Sequence, residues 1–319
     1  MRISVLGAGR WGSFLCWYFH RIGMQVLLWG RKGSKTLEEL QTTGKNEYLK
    51  LPENIIITNE LDRAVDFGEI IVIAISSQQL RDLASKLNQY SMDKRIVVLC
   101  MKGIEENSGK RLTQIINEEI TQPCSTAIWV GPGHVQDYIS GIPNCMVIGS
   151  DDINVTKMLV KEFGSDLIRF YYGQDLIGNE IGAAAKNVIG IAAGMLDGLN
   201  YSSLKGALMA RGAREISRLV RAMGGNELTV YGLSHLGDYS ATLYSPFSNN
   251  RAYGEAWVRG EPFIKLAEGV STAKAMVFLA KRYELELPIC ESVYEIINLQ
   301  KDAKEVLLNL FFRPIKFEF

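Results

Sequence analysis

Apolar and polar residues follow two regimes along this chain. Up to about residue 175, short apolar runs of strand length are separated by helix-length amphipathic stretches. The runs fall at residues 2–6, 24–29, 55–57, 69–75, 95–100, 127–130, 145–148 and 167–171. Strands that are apolar throughout and alternate with helices predict a parallel sheet covered on both faces. From about residue 178 the spacing becomes helical, through 181–196, 205–223, a stretch opening near 266, 291–300 and a last one towards Phe312. The stretch 181–196, IGAAAKNVIGIAAGML, is apolar or glycine except for Lys186 and Asn187. That pattern predicts a central packed helix. An ammonium inside it must snorkel outwards, find a partner, reach a cleft or titrate to neutral.

The first run stops at Gly7-Ala8-Gly9-Arg10-Trp11-Gly12, followed by a helix-length stretch and a second strand. This is G-x-G-x-x-G in the strand–turn–helix context that binds dinucleotides. Gly7 permits the turn, Gly9 lets a pyrophosphate approach the backbone, and Gly12 lets helix and strand pack closely. Arg10 is placed to reach the pyrophosphate. The predicted fold is α/β, an N-terminal Rossmann doubly wound parallel sheet followed by an all-α C-terminal domain. The expected domains are residues 1–175 for the dinucleotide and 176–319 for substrate and catalysis. The second strand ends in Trp29-Gly30-Arg31-Lys32, without the acid that would hold a ribose 2′-hydroxyl. Two cations there favour NADP(H), with NAD left open. Ligands of such a sheet lie beyond the strand C-termini, which puts Lys102 at the ligand edge by position alone. The turn Gly131-Pro132-Gly133-His134 offers backbone amides to an anion.

Composition removes several classes. Thirty-five basic and thirty-five acidic residues cancel, which argues against a general nucleic-acid or anionic-membrane surface. No apolar span approaches membrane length, and the strand-like run at the start gives the expectation of no signal segment. Five dispersed cysteines without a CxxC predict free thiols in a reducing, cytoplasmic setting. Three scattered histidines suggest no metal site.

Eight blocks occur in order: GAGRWG, LWGRK, MKGIE, VGPG, EIGAAAKNVIGIAAGMLDGL, GLSHLGD, SNNRAYG and LAEGVSTA. Together they resemble the NAD(P)-dependent glycerol-3-phosphate dehydrogenases of the bacterial soluble type. The resemblance implies reversible hydride transfer between NAD(P)H and dihydroxyacetone phosphate, giving sn-glycerol 3-phosphate for glycerophospholipid synthesis. It makes Lys186 the proton donor and acceptor and puts Lys102 against both substrate and cofactor, with Asp238 and Thr242 on the substrate side. It implies substrate contacts at Gly131, Gly133, Ser248, Asn249 and Asn250, and cofactor contacts at Val135, Asn249 and Glu268. The partner is a phosphorylated small molecule, and a homodimer is the assembly considered.

The chemistry of the residues agrees. Reducing a ketone calls for a proton source and a positive charge beside the nascent alkoxide. A free lysine titrates near 10.4, so working as a base near neutrality needs about 3–4 kcal/mol of bias against its charged form. Burial and the like charge of Lys102 push that way, and a nearby Asp238 pushes back. The alternative for Asp238 is a helix cap after Gly237. The chain departs from the family where Asn249 replaces an arginine, Met101 a serine and Arg10 a serine, where Gly133 lacks a hydroxyl, and where residues are missing after Gly198-Leu199. Arg251 is a neighbouring cation for the phosphate. Two other readings stand: a ketopantoate reductase-like lysine enzyme, and a non-catalytic NADP-binding paralogue.

Overall fold

The computed structural model of the protein describes residues 1–315 and 317–318. Its first part runs β1 (Arg2–Leu6), α1 (Arg10–Arg21), β2 (Gln25–Trp29), α2 (Lys35–Thr43), β3 (Ile56–Thr58), α3 (Leu61–Phe67), β4 (Ile70–Ile73) and α4 (Leu80–Leu87). It continues with β5 (Ile96–Leu99), α5 (Leu112–Glu119), β6 (Ser125–Val130), α6 (Val135–Ile139), β7 (Asn144–Ser150), α7 (Ile153–Phe163) and β8 (Ile168–Gly173). Among the described residues these strands form one sheet in the order β3-β2-β1-β4-β5-β6-β7-β8. The chain reverses direction across the sheet between β1 and β4, which register Ile3 opposite Ile70. A crevice opens at that switch point beyond the strand ends.

The expectation of a parallel sheet needs one correction. β6 and β7 pair antiparallel, with Val130 opposite Val147, whereas the other six neighbouring pairs are parallel. The segment between them contains only the five-residue α6. It lacks a helix long enough to carry the chain back across the sheet, so it turns and returns alongside.

The helical part consists of α8 (Leu176–Gly198), α9 (Lys205–Ala222), α10 (Asn249–Arg259), α11 (Gly269–Arg282), α12 (Pro288–Asn298) and α13 (Ala303–Asn309), with a single π-turn at Ser240–Tyr244. Asp175 caps α8 by accepting from the Gly178 amide. Ala- and Gly-rich, α8 is buried for most of its length because other elements surround it. Gly190, Gly194 and Gly198 recur every fourth residue and present a groove to α10. A Cβ on Gly194 would collide with the Arg251 carbonyl, and one on Gly254 of α10 with the Ile191 carbonyl. Gly190 leaves room for the Thr242 methyl. No described helix is long and apolar enough to cross a membrane.

The two parts are joined by buried polar contacts. Glu180 of α8 accepts from Arg111 (2.5 Å) and from the amide and hydroxyl of Thr113 (2.9 and 2.7 Å). Gly194→Ala should lower stability by about 1–3 kcal/mol through overpacking, despite alanine's better helix propensity. Gly206→Ala, whose Cβ enters open space, should be neutral or slightly stabilising. Denaturant unfolding of both variants checks the pair, and equal behaviour would refute the close α8–α10 contact.

Candidate active site

A cleft of about 670 Å³ runs from the C-terminal ends of β1, β2 and β4 to the flank of α8. At one end is the glycine turn. Gly7 has φ +128°, and a Cβ there would strike the Ala74 carbonyl. A Cβ on Gly12 would strike Gly7, so Gly12 serves close packing and does not line the cleft. Gly9 faces open space within the cleft and caps α1 without a side chain. The first amides of α1 therefore meet the cleft unobstructed, an arrangement that suits a phosphate. Arg10, Trp11, Arg31 and Lys32 also line the cleft. This end fits a dinucleotide by shape and by donor set.

At the other end, Lys186 projects from α8 with only 8% exposure. It does not snorkel. Its ammonium donates to Thr242 Oγ1 (2.7 Å) and lies 2.9 Å from Asp238 Oδ2. The same carboxylate oxygen takes a 2.7 Å bond from Lys102, whose ammonium also donates to the Gly131 carbonyl at 2.6 Å. An ammonium has three donors, so Lys186 keeps one for the cleft that it lines. Burial lowers its pKa from the usual lysine value to about 8; Asp238 opposes the shift and Lys102 assists it. That bias is about 3 kcal/mol.

Asp238 sits in a short 3-10 turn, Leu236–Asp238, and its side chain is committed to the lysines rather than to a helix cap. The turn is held from behind by His235, which is fully buried. Its Nδ1–H donates to the Gly182 carbonyl (2.7 Å), so Nε2 accepts from the Tyr239 hydroxyl (2.7 Å). Burial pushes its pKa to about 4 and keeps it neutral. Thr242 lies in the π-turn, bonded to the Asp238 carbonyl at 2.7 Å.

An amide chain ties the walls together. Asn187 donates to the Lys102 carbonyl (2.9 Å) and accepts from Asn250 (3.0 Å), which accepts from the Gly269 amide (2.9 Å). One residue earlier, Glu268 accepts from the Ser77 amide (2.9 Å), and burial raises its pKa.

Of the residues singled out in the sequence, Gly133, Ser248, Asn249, Asn250 and Glu268 also line the cleft. Two lie elsewhere. Gly131 contributes its carbonyl to Lys102 rather than a cleft surface. Val135 is 1% exposed in the core against the sheet, because the return towards β7 turns its side chain inwards. Arg251 does not reach the cleft either; it pairs with Asp197 (2.7 Å) and Glu255 (3.0 Å), and Asp197 also binds Lys205. Sequence reading missed His134 and Phe247, which line the cleft and stack edge to face. His134 Nε2–H donates to the Ala241 carbonyl at 2.8 Å. The only signal for it was its place at the end of the Gly-Pro-Gly turn. Among the described residues no group of histidine, cysteine or carboxylate side chains could hold a metal.

Two family models match the chain, the NAD-dependent glycerol-3-phosphate dehydrogenase N-terminus over residues 2–156 and C-terminus over residues 175–308. The chain belongs to this dehydrogenase family. It is 38% identical to a glycerol-3-phosphate dehydrogenase [NAD(P)+] of Fusobacterium nucleatum, with 100% of this chain and 98% of that protein covered. The corresponding Chlorobium phaeobacteroides protein is 36% identical, with coverage of 100% and 99%. The crystal structure of glycerol-3-phosphate dehydrogenase from Coxiella burnetii superposes with a TM-score of 0.91 at 27% identity, covering 98% of each chain. Family membership thus agrees with the order of the sequence blocks and with the two-part fold.

Asp238→Asn should move the Lys186 titration below about 8 by removing its compensating charge. NMR of ¹³C-methylated lysines reads this directly, and an unmoved titration would mean that the carboxylate is not felt at that nitrogen.

Proposed function

We propose that the cleft carries reversible hydride transfer between NAD(P)H and dihydroxyacetone phosphate, giving sn-glycerol 3-phosphate. The observation that carries this reading is the Lys186–Asp238–Lys102 cluster facing the same cleft as the glycine turn. The bound nicotinamide cofactor supplies the hydride in reduction and accepts it in oxidation. Lys186 Nζ gives its cleft-facing proton to the ketone oxygen as the alcohol forms, and removes it in the reverse direction. Asp238 and Thr242 hold the ammonium in line, and Lys102 adds positive charge where the oxygen becomes negative. Neither a ketopantoate substrate nor a non-catalytic role accounts as well for this cluster within a chain of this family.

The reading takes residues 1–175 as the dinucleotide-binding unit and 176–319 as the helical catalytic unit. It takes NADP(H) as the preferred cofactor, supported by Arg31 and Lys32 on the cleft wall beyond β2. A reducing cytoplasmic setting is supported by five free cysteines.

The sign of the pH dependence follows from the lowered Lys186 pKa. Reduction needs the ammonium, so its kcat/KM should fall as pH rises through about 8. Oxidation needs the neutral amine, so its rate should climb over the same interval. Lys186→Ala should lower kcat by roughly 10²–10⁴-fold with little change in NADPH affinity. Steady-state assays and fluorescence titration test both, and full activity of the variant would end the proposal. The double substitution of Arg31 and Lys32 by alanine should raise the NADPH KM about tenfold or more, a loss of charge-assisted bonds. The NADH KM should change much less, and equal shifts would remove the basis for an NADP preference.

A further inference from the structure

A guanidinium or ammonium within hydrogen-bonding reach strengthens the binding of a substrate phosphate, and the cleft offers few such cations. The cations lining it are Arg10, Arg31, Lys32, Lys86, Lys102 and Lys186. Lys102 and Lys186 are committed to Asp238 and to the reacting oxygen. Arg31 and Lys32 follow β2 and stand at the opposite end, with Lys86 on α4. Arg251, the cation that follows Ser248, Asn249 and Asn250 in the chain, is held by Asp197 and Glu255.

Arg10 remains. It begins α1, but its guanidinium crosses the cleft, where Nη1 approaches the Phe247 carbonyl at 3.5 Å. The Tyr48 ring supports it from beneath, 5.7 Å from the guanidinium carbon. Among the described residues it has no ion-pair partner, so its charge is available. Phe247 directly precedes Ser248 and Asn249, which line the cleft. The position is also on the reacting side: the His134 ring, bonded to Ala241 next to Thr242, feels the charges of both Arg10 and Lys186.

We propose that Arg10, reaching across from the cofactor turn, supplies the guanidinium that binds the phosphate of the substrate opposite Ser248 and Asn249. This rests on the reaction proposed above. It changes the assignment of one residue: the side chain in the glycine turn selects the substrate, while the backbone of that turn serves the dinucleotide. A guanidinium can meet a phosphate through two parallel bonds, and the weak 3.5 Å contact to Phe247 is readily exchanged for them.

The cofactor carries phosphates too, so the test separates the two sources. Arg10→Ser, Arg10→Lys and Arg10→Ser with Asn249→Arg are compared with the unaltered enzyme. Each is assayed with dihydroxyacetone phosphate and with dihydroxyacetone, and NADPH binding is titrated by fluorescence. Arg10→Ser should raise the KM for dihydroxyacetone phosphate about tenfold or more, with a much smaller effect on kcat, and should shrink the preference for the phosphorylated ketone by a similar factor. Its NADPH Kd should stay within about threefold. Arg10→Lys should fall between, and Asn249→Arg should restore much of the loss by supplying a guanidinium from the facing wall. A rise confined to the NADPH Kd, or an unchanged preference between the two ketones, overturns the proposal. Failure of the unaltered enzyme to reduce dihydroxyacetone phosphate would instead overturn the reaction on which it rests.

Discussion

One carboxylate oxygen, Asp238 Oδ2, accepts from ammonium groups carried by two separate parts of the fold. Lys102 follows the C-terminal end of β5 in the sheet, and Lys186 lies midway along α8. Two such cations brought together with little water repel by on the order of a few kcal/mol at an effective dielectric near 20. The carboxylate between them makes the juxtaposition tolerable and draws the two parts into contact. It does not cancel the burial of Lys186, whose pKa stays near 8. An amine in that range exists in both protonation states near neutrality, as a reversible proton transfer requires.

The remaining structure fixes the direction in which that amine points. His235 and Tyr239 brace the Asp238 turn, and Gly190 makes space for the Thr242 methyl one helical turn beyond Lys186. The amide relay through Asn187 and Asn250 couples the lysine-bearing helix to the Lys102 backbone on one side and to the start of α11 on the other. The bonds of His235 are buried and those of the amide relay partly buried, and the loss of any one leaves a partner unsatisfied. Positioning is thus distributed over several elements, whereas the proton transfer is concentrated on one nitrogen.

Much of this was legible in the residues. Strand-length apolar runs and the glycine turn carried the sheet and the dinucleotide end, because periodicity and glycine spacing are local properties. The odd Lys-Asn pair inside an apolar helix marked the reacting centre, because an isolated charge there demands a reason. What escaped depends on contacts distant in sequence. The antiparallel β7 follows from the shortness of a connection, which the apolar pattern does not register. The inward turn of Val135, the capture of Arg251 by Asp197 and the approach of His134 to Ala241 are all set by packing between segments far apart in the chain.

The glycine column of α8 has a consequence for how this site can change. With a carbonyl of α10 seated against Gly194, the backbone carrying Ser248, Asn249 and Asn250 has almost no freedom to retreat or advance. Selectivity in such an enzyme is therefore rewritten by exchanging side chains across a gap of constant width. A positive charge given up on one wall can be taken up by the other without moving the main chain.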